Sequence, residues 1–243
     1  MKKLTLNYLE PLPYSAEEAM NRLRVNFNFC GDRFKKIIIT SSTPNEGKSF
    51  VSSNLWRLLA ASGAQVVLVD ADIRKSVLRS RYQINNEDGD NKKFYGLSHY
   101  LAGQVELEDV VYETNLSDAF LLPTTHTVNN PAILLQNPRF TQMLEELAYR
   151  YDYVLVDTPP LSNVSDGDLI AAQCDGGILV VRSGVTPRGL IASSLKQLER
   201  AGCELMGVVL NRVETKNNPY YYKYSKYGYY SSYSYYGNNN EGG

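Results

Sequence analysis

The sequence is poor in histidine, cysteine and net charge. Its two histidines, His99 and His126, are isolated and have no metal-ligand spacing. Its three cysteines, Cys30, Cys174 and Cys203, are odd in number and far apart, with no CxxC pair. That excludes a disulfide framework or a cysteine zinc site and fits packing cysteines in a reduced, cytoplasmic protein. The formal net charge is −1. The whole chain therefore has no electrostatic case for binding nucleic acid or an acidic membrane. No run approaches the roughly 20 apolar residues that span a bilayer. The opening MKKLTLNYLEPLPYS carries two lysines but no apolar core, so no secretory signal is expected. Membrane association then has to come through a partner or a modification. The length of 243 residues, with 43% hydrophobic and 21% charged, suits one substantial globular core.

Along the chain, residues 1–14 read as an extended, proline-punctuated segment ahead of a domain over 15–215. Ser15 with Glu18 three residues later forms a capping-box pattern for a helix over 15–29. A β-rich run over 36–40 leads through a turn-rich loop into a helix from Gly47 or Lys48 to about Ser62, with Gly63 closing it. Val66–Asp70, Ala119–Leu122, Tyr153–Asp157, Gly177–Arg182 and Leu205–Asn211 read as further strands. Helices are expected over 138–150 and 187–201, and residues 83–96 as an exposed loop. Strands that are apolar throughout are buried on both faces, and their alternation with helices predicts an α/β fold: a doubly wound, mainly parallel sheet. Ligands in such sheets sit at the carboxyl ends of the strands. There the sequence places Thr40–Ser42, Asp70–Asp72, Asp157–Thr158, Arg182 and Asn211.

Three motifs carry chemistry. Ser42-Thr43-Pro44-Asn45-Glu46-Gly47-Lys48-Ser49, followed by Phe50, matches the phosphate loop G-x-x-x-x-G-K-[ST] except that Ser42 stands at the first glycine. Lys48 is expected on the β- and γ-phosphates, the Ser49 hydroxyl on Mg²⁺, and backbone N–H groups around the phosphates at a helix start. Asn45 stands where a left-handed backbone is needed, which asparagine tolerates. Asp70-Ala71-Asp72 ends the second strand. Asp72 is assigned to the Mg²⁺ shell and Asp70 to accepting or orienting the proton of an attacking hydroxyl. The bland alternative there is a solvated turn of mixed charge. Asp157, ending Val154-Leu155-Val156, is a Walker B carboxylate for Mg²⁺, weak alone and strong beside a phosphate loop. Trp56 reads as packing.

From Lys216 the composition shifts to Tyr, Ser, Asn and Gly with almost no aliphatic residues, and residues 216–243 are expected to be disordered. Tyr220, Tyr221, Tyr222, Tyr224, Tyr227, Tyr229, Tyr230, Tyr233, Tyr235 and Tyr236 make up ten of the 19 tyrosines. A flexible tail can thread into an active site, and each phosphate would add about −1.5 to −2 charge. The bland alternative is an aromatic low-complexity tail without chemistry.

The combination SSTPNEGKS, VVLVDADIRK, YVLVDTPP and the terminal tyrosine cluster resembles the bacterial tyrosine kinase (BY-kinase) family, and GLSHYLAG and VVLNRV are similar to it too. The resemblance implies ATP and Mg²⁺ as cofactors, Walker A, A′ and B motifs, and autophosphorylation of the tail. It also implies a role in capsule or exopolysaccharide synthesis, a transmembrane co-polymerase that recruits the kinase to the inner face of the membrane, and a cognate tyrosine phosphatase. It further implies a homo-oligomeric ring built through the first helix, where the family pattern E-x-x-R-x-x-R aligns with Glu18, Arg22 and Arg24. Asn21 stands at the first arginine position, and Arg22 lies about 100° further round the helix. Ser76 stands where proline is common. By this resemblance Asn211 is the candidate adenine contact. The alternatives are a partition or division-site switch ATPase, whose phosphate loop carries an extra lysine where Thr43 stands, and a nucleotide-sensing module of a polysaccharide-export complex.

Overall fold

A computed structural model describes residues 2–31, 33–86, 94–162 and 165–213. The tyrosine cluster and the polar run at 87–93 lie outside the described residues. Among the described residues nine strands form one sheet in the order β4-β1-β5-β6-β3-β7-β2-β8-β9. They are β1 (Lys2–Thr5), β2 (Lys36–Ser41), β3 (Val66–Asp70), β4 (Asn85–Asn86), β5 (Tyr112–Thr114), β6 (Ala119–Leu122), β7 (Tyr153–Asp157), β8 (Gly176–Arg182) and β9 (Glu204–Asn211). The pairings from β6 through β9 are all parallel. The antiparallel pairs are β1–β4 and β5–β6. The α-helices among the described residues are α1 (Tyr14–Phe29), α2 (Lys48–Ala61), α3 (Leu78–Arg81), α4 (Leu97–Leu101), α5 (Pro131–Leu135), α6 (Pro138–Arg150), α7 (Asp166–Ala171) and α8 (Arg188–Arg200).

The central strands are apolar throughout because both faces are covered. Successive residues point to opposite faces. Ile37, Ile39, Val66, Leu68, Leu155, Ile178 and Val180 join one core with Val51, Leu55 and Trp56 of α2. Ile38, Val67, Val69, Val154, Val156, Leu179 and Val181 join the other, with Phe140, Met143 and Leu147 of α6. Trp56 is 1% exposed and donates its indole N–H to Val66 O at 3.1 Å, so the ring is packed and satisfied. Helix α2 ends in a Schellman turn: Gly63 takes φ +92°, its N–H bonds Ala60 O, and Ala64 N–H bonds Leu59 O.

Three local expectations are corrected. The capping box does not form: α1 begins one residue earlier, behind Pro13, with no side-chain cap, and Ser15 lies inside the helix. Residues 83–96 are not simply a solvated loop, because Ile84 and Phe94 are buried and Asn85–Asn86 forms a short strand on β1. The segment 1–14 is not merely a lead-in. It supplies β1 to the same sheet, with Leu4 and Leu6 buried, within a compact unit spanning Met1–Asn211. Among the described residues no helix is long and apolar enough to cross a membrane.

Candidate active site

The loop after β2 turns tightly into α2. Asn45 takes φ +65° and Gly47 φ +97°, both left-handed, so Asn45 occupies the conformation expected of it. A Cβ at Gly47 would overlap the Asn211 side-chain amide. Only glycine fits there, on both counts. Glu46 is 2% exposed and ties the loop together. Its Oε2 accepts from Thr43 N at 2.7 Å, its Oε1 from the Thr186 hydroxyl and from Arg182 N at 3.5 Å, and its backbone O from Asn211 Nδ2 at 2.8 Å. Ser42, fully buried, accepts from the Ser194 hydroxyl at 2.9 Å. The loop between β2 and α2 is thus anchored to α8, to the β8–α8 turn and to the end of β9.

Lys48 opens α2. Its ammonium lies 3.2 Å from Asp72 Oδ2 and 3.3 Å from the Ser49 hydroxyl. Asp72 Oδ1 accepts Lys75 N at 3.0 Å, which curls the chain after β3 back over the site. Asp70 and Asp157 are register partners on the adjacent strands β3 and β7, each 1% exposed. Burial pushes the Asp70 carboxyl up to about 8, opposed by a hydrogen bond from Ser76 and reinforced by the charge of Asp157. Burial also raises Asp157, while Lys48 and a hydrogen bond from Ser49 hold it down.

Asp70 Oδ1 and Asp157 Oδ1 are buried and have no hydrogen-bond partner. The orphaned Asp157 oxygen, with the Ser49 hydroxyl and the Asp72 carboxylate that share the Lys48 ammonium, forms an oxygen donor set that fits a hard divalent cation such as Mg²⁺. A lysine at a helix start, behind a loop that turns through the left-handed Asn45 and Gly47, fits a polyphosphate.

The structure brings Lys48, Ser49, Asp70, Asp72 and Asp157 together with the loop from Ser42 to Gly47. Phe50, Asn211 and the α1 residues are placed differently. The Phe50 ring packs on the core beneath α2, so only its backbone belongs to the loop. Asn211 braces Glu46 and Gly47 from the end of β9. Glu18 and Arg22 are exposed and Arg24 is half-buried on α1, and none of the three forms an ion pair among the described residues. Sequence reading missed Thr186 and Ser194, which brace the phosphate loop. It also missed Arg74, whose Nε lies 2.5 Å from the buried Asp166 of α7. Nor did it find Thr124, which donates to Asp70 twice. No local motif assigns these roles, since the partners lie 50 or more positions away in the chain.

Fold and site together define a phosphate-loop nucleotide-binding domain with an unusual pair of acidic strand ends. Residues 34–182 match the family described as AAA domain. The chain is 36% identical to the tyrosine-protein kinase CpsD of Streptococcus agalactiae over 87% of this chain and 90% of that protein. It is 35% identical to the tyrosine-protein kinase etk of Escherichia coli over 82% of this chain but only 27% of that longer protein. The kinase domain of the Escherichia coli tyrosine kinase ETK superposes with a TM-score of 0.73 at 32% identity, covering 84% of this chain and 80% of that one. The cell-division ATPase MinD of Pyrococcus furiosus, at 22% identity and TM-score 0.62, shares the fold. The chain belongs to the bacterial tyrosine kinase family, and it is a protein-tyrosine kinase.

Proposed function

We propose that the chain is an autokinase that transfers the γ-phosphoryl of Mg-ATP to its own tyrosine cluster, Tyr220 to Tyr236, and thereby regulates capsular or exopolysaccharide polymerisation and export. The observation that carries this reading is the convergence of Lys48, Asp72, Asp70 and Asp157 beside the phosphate loop. In this reading Lys48 and the loop amides hold the β- and γ-phosphates. Ser49, Asp72 and Asp157 would hold Mg²⁺, which when bound neutralises charge on the phosphates. Asp70, beside Asp157 on the adjacent strand, accepts or orients the proton of the attacking tyrosine hydroxyl. Glu46 keeps the loop preformed, so the phosphate site needs little reorganisation.

The kinase domain ends near residue 215, and the segment 216–243 is the substrate tail. The kinase works with a transmembrane co-polymerase that recruits it to the inner face of the membrane, with a cognate tyrosine phosphatase, and with other copies of itself through Glu18, Arg22 and Arg24 on α1. The exposure of Tyr14, Val25 and Phe29 on that helix supports a further protein contact there. Incubating the chain with Mg-ATP, with and without the cytosolic segment of the co-polymerase, and mapping modified residues by mass spectrometry tests the reading. Phosphotyrosine within 220–236 is expected. Its absence under both conditions would sink the autokinase assignment.

A further inference from the structure

The chain after β3 and the chain after β6 enclose an open cleft of about 480 Å³. Ser76 and Thr124 form its inner wall, and both bond the end of β3. The Ser76 hydroxyl donates to Asp70 Oδ2, and the Thr124 hydroxyl donates to Asp70 O at 2.7 Å. The cleft therefore adjoins the candidate active site. Its rim carries Arg79, Gln83, Asn85 and Thr127, all exposed. Among the described residues none of these four side chains is taken up by a hydrogen bond or an ion pair. Arg79 rests over the buried Phe94 ring, 4.9 Å from its centroid, which restrains the guanidinium and leaves its N–H donors without a carboxylate. Gln83 takes φ +46°, so the rim is held in a conformation that local propensity disfavours. Among the described residues no carboxylate lines the cleft.

A guanidinium fork with neutral amide and hydroxyl donors, and no acid among them, fits an anion with several acceptor oxygens. The tyrosine cluster at 220–236 contains no Asp or Glu, and its tyrosines stand one to three positions apart. The anion such a segment offers is the phosphate of a tyrosine already modified, with about −1.5 to −2 charge. In an extended segment the next tyrosine then lies about 3 to 10 Å along the chain. We propose that the cleft is a phosphotyrosine subsite: it takes the aryl phosphate of an incoming tyrosine-rich segment, supplied by another copy, on Arg79 and its neighbours, and presents a nearby unmodified tyrosine to the nucleotide site. A segment modified once thereby becomes a better substrate. The inference rests on the reading of the tyrosine cluster as substrate.

The test uses the full chain, freed of phosphotyrosine by a phosphatase and saturated with Mg-ADP. Fluorescein-labelled peptides of sequence 218–236 carry tyrosine, phosphotyrosine or glutamate at position 230, and fluorescence anisotropy reads their affinities. The phosphotyrosine peptide should bind about tenfold tighter than the other two. Arg79→Ala should bring it down to the affinity of the unmodified peptide, with Mg-ADP affinity unchanged, and Arg79→Lys should keep part of the preference. If Arg79→Ala fails to fold, Arg79→Gln, which keeps the stem, reads the same loss. Equal affinity of the phosphotyrosine and tyrosine peptides, equal binding of the glutamate peptide, or a preference that survives loss of Arg79 would each overturn the proposal. Displacement of the phosphopeptide by an equal concentration of inorganic phosphate would overturn it too, marking a free-phosphate site. Binding is read without turnover. Failure of Mg-ATP to label the unmodified peptide would therefore overturn the cluster as substrate, and the anisotropy would still decide the subsite.

Discussion

Helices α1 and α2 lie on the same side of the sheet and pack on each other, yet they are built for different ends. In α2 the residues Ser49, Val51, Ser52, Ser53, Asn54, Leu55, Trp56, Leu59 and Ala60 are buried, whereas α1 buries only Met20 and Phe27. Two buried polar residues of α2, Ser53 and Asn54, are satisfied by hydrogen bonds. Ser53 donates to Ser49 O at 2.5 Å, Asn54 donates to Phe50 O at 2.8 Å, and the Tyr82 hydroxyl donates to Ser53. In α1 the apolar Tyr14 and Phe29 are 77% and 83% exposed. The lesson is positional. A helix that must hold phosphate-binding groups still is locked between strands and neighbours. Helix α1 keeps only the burial of Met20 and Phe27.

The comparison predicts that damage to the start of α2 is severe and damage to α1 is mild. Lys48→Met should lower tyrosine phosphorylation by at least about a hundredfold, since it removes a phosphate contact made in the transition state. Labelling with radioactive ATP checks this, and persistent labelling would break the contrast at its strongest point. Gly47→Ala comes next. It forces a Cβ onto Asn211 at a φ of +97° and should cost about 1–3 kcal/mol in the strained backbone alone. Thermal melting reads that cost, and Asn211→Ala should relieve part of the clash but not the φ penalty.

Asp70 supplies a pH signature without nucleotide. Its carboxyl stands at about 8 in the folded chain against 3.8 ordinarily. Between those values the native chain keeps a proton that the unfolded chain has released. Stability therefore falls as pH rises through that window, by on the order of a few kcal/mol. Denaturant unfolding at pH 5 and pH 8 should show the loss, and Asp70→Asn should flatten it. An equal slope in the variant would assign the pH dependence elsewhere.

Glu46→Gln should be milder. The side chain keeps its shape but loses its charge toward Thr43 N, the Thr186 hydroxyl and Arg182 N. We expect a loss of about 1–2 kcal/mol with weaker Mg-ATP binding, measured by melting and titration. The smallest effect is expected on α1. Arg22→Ala or Arg24→Ala should leave the unfolding free energy within about 0.5 kcal/mol, yet reduce particle size in light scattering. A large stability loss there would show that α1 is bound into the core as α2 is.

Much of this was legible beforehand, for particular reasons. Val66–Asp70 and Tyr153–Asp157 were readable as strands because a central parallel strand is apolar on both faces. The phosphate loop was readable because its spacing is imposed by the phosphates it cradles. β1 was not, because Lys2 and Lys3 sit near a sheet edge where only alternate side chains are buried. The short helices α3, α4, α5 and α7 were not, because four to six residues carry too little periodicity. Phe50 was read as a ligand contact because it follows the motif, and the helix turns its ring to the core.

The amino-acid order by itself determined the phosphate loop, the acidic ends of β3 and β7, and the core strands, since each depends on residues within one short segment. Only the tertiary structure decided that Asp70 and Asp157 lie side by side, that Glu46 is held by Thr186 and Asn211, and that Ser76 and Thr124 share one oxygen of Asp70. Most of those pairings join segments from different strands. Sheet register and helix packing, which no local window encodes, bring them within hydrogen-bond reach.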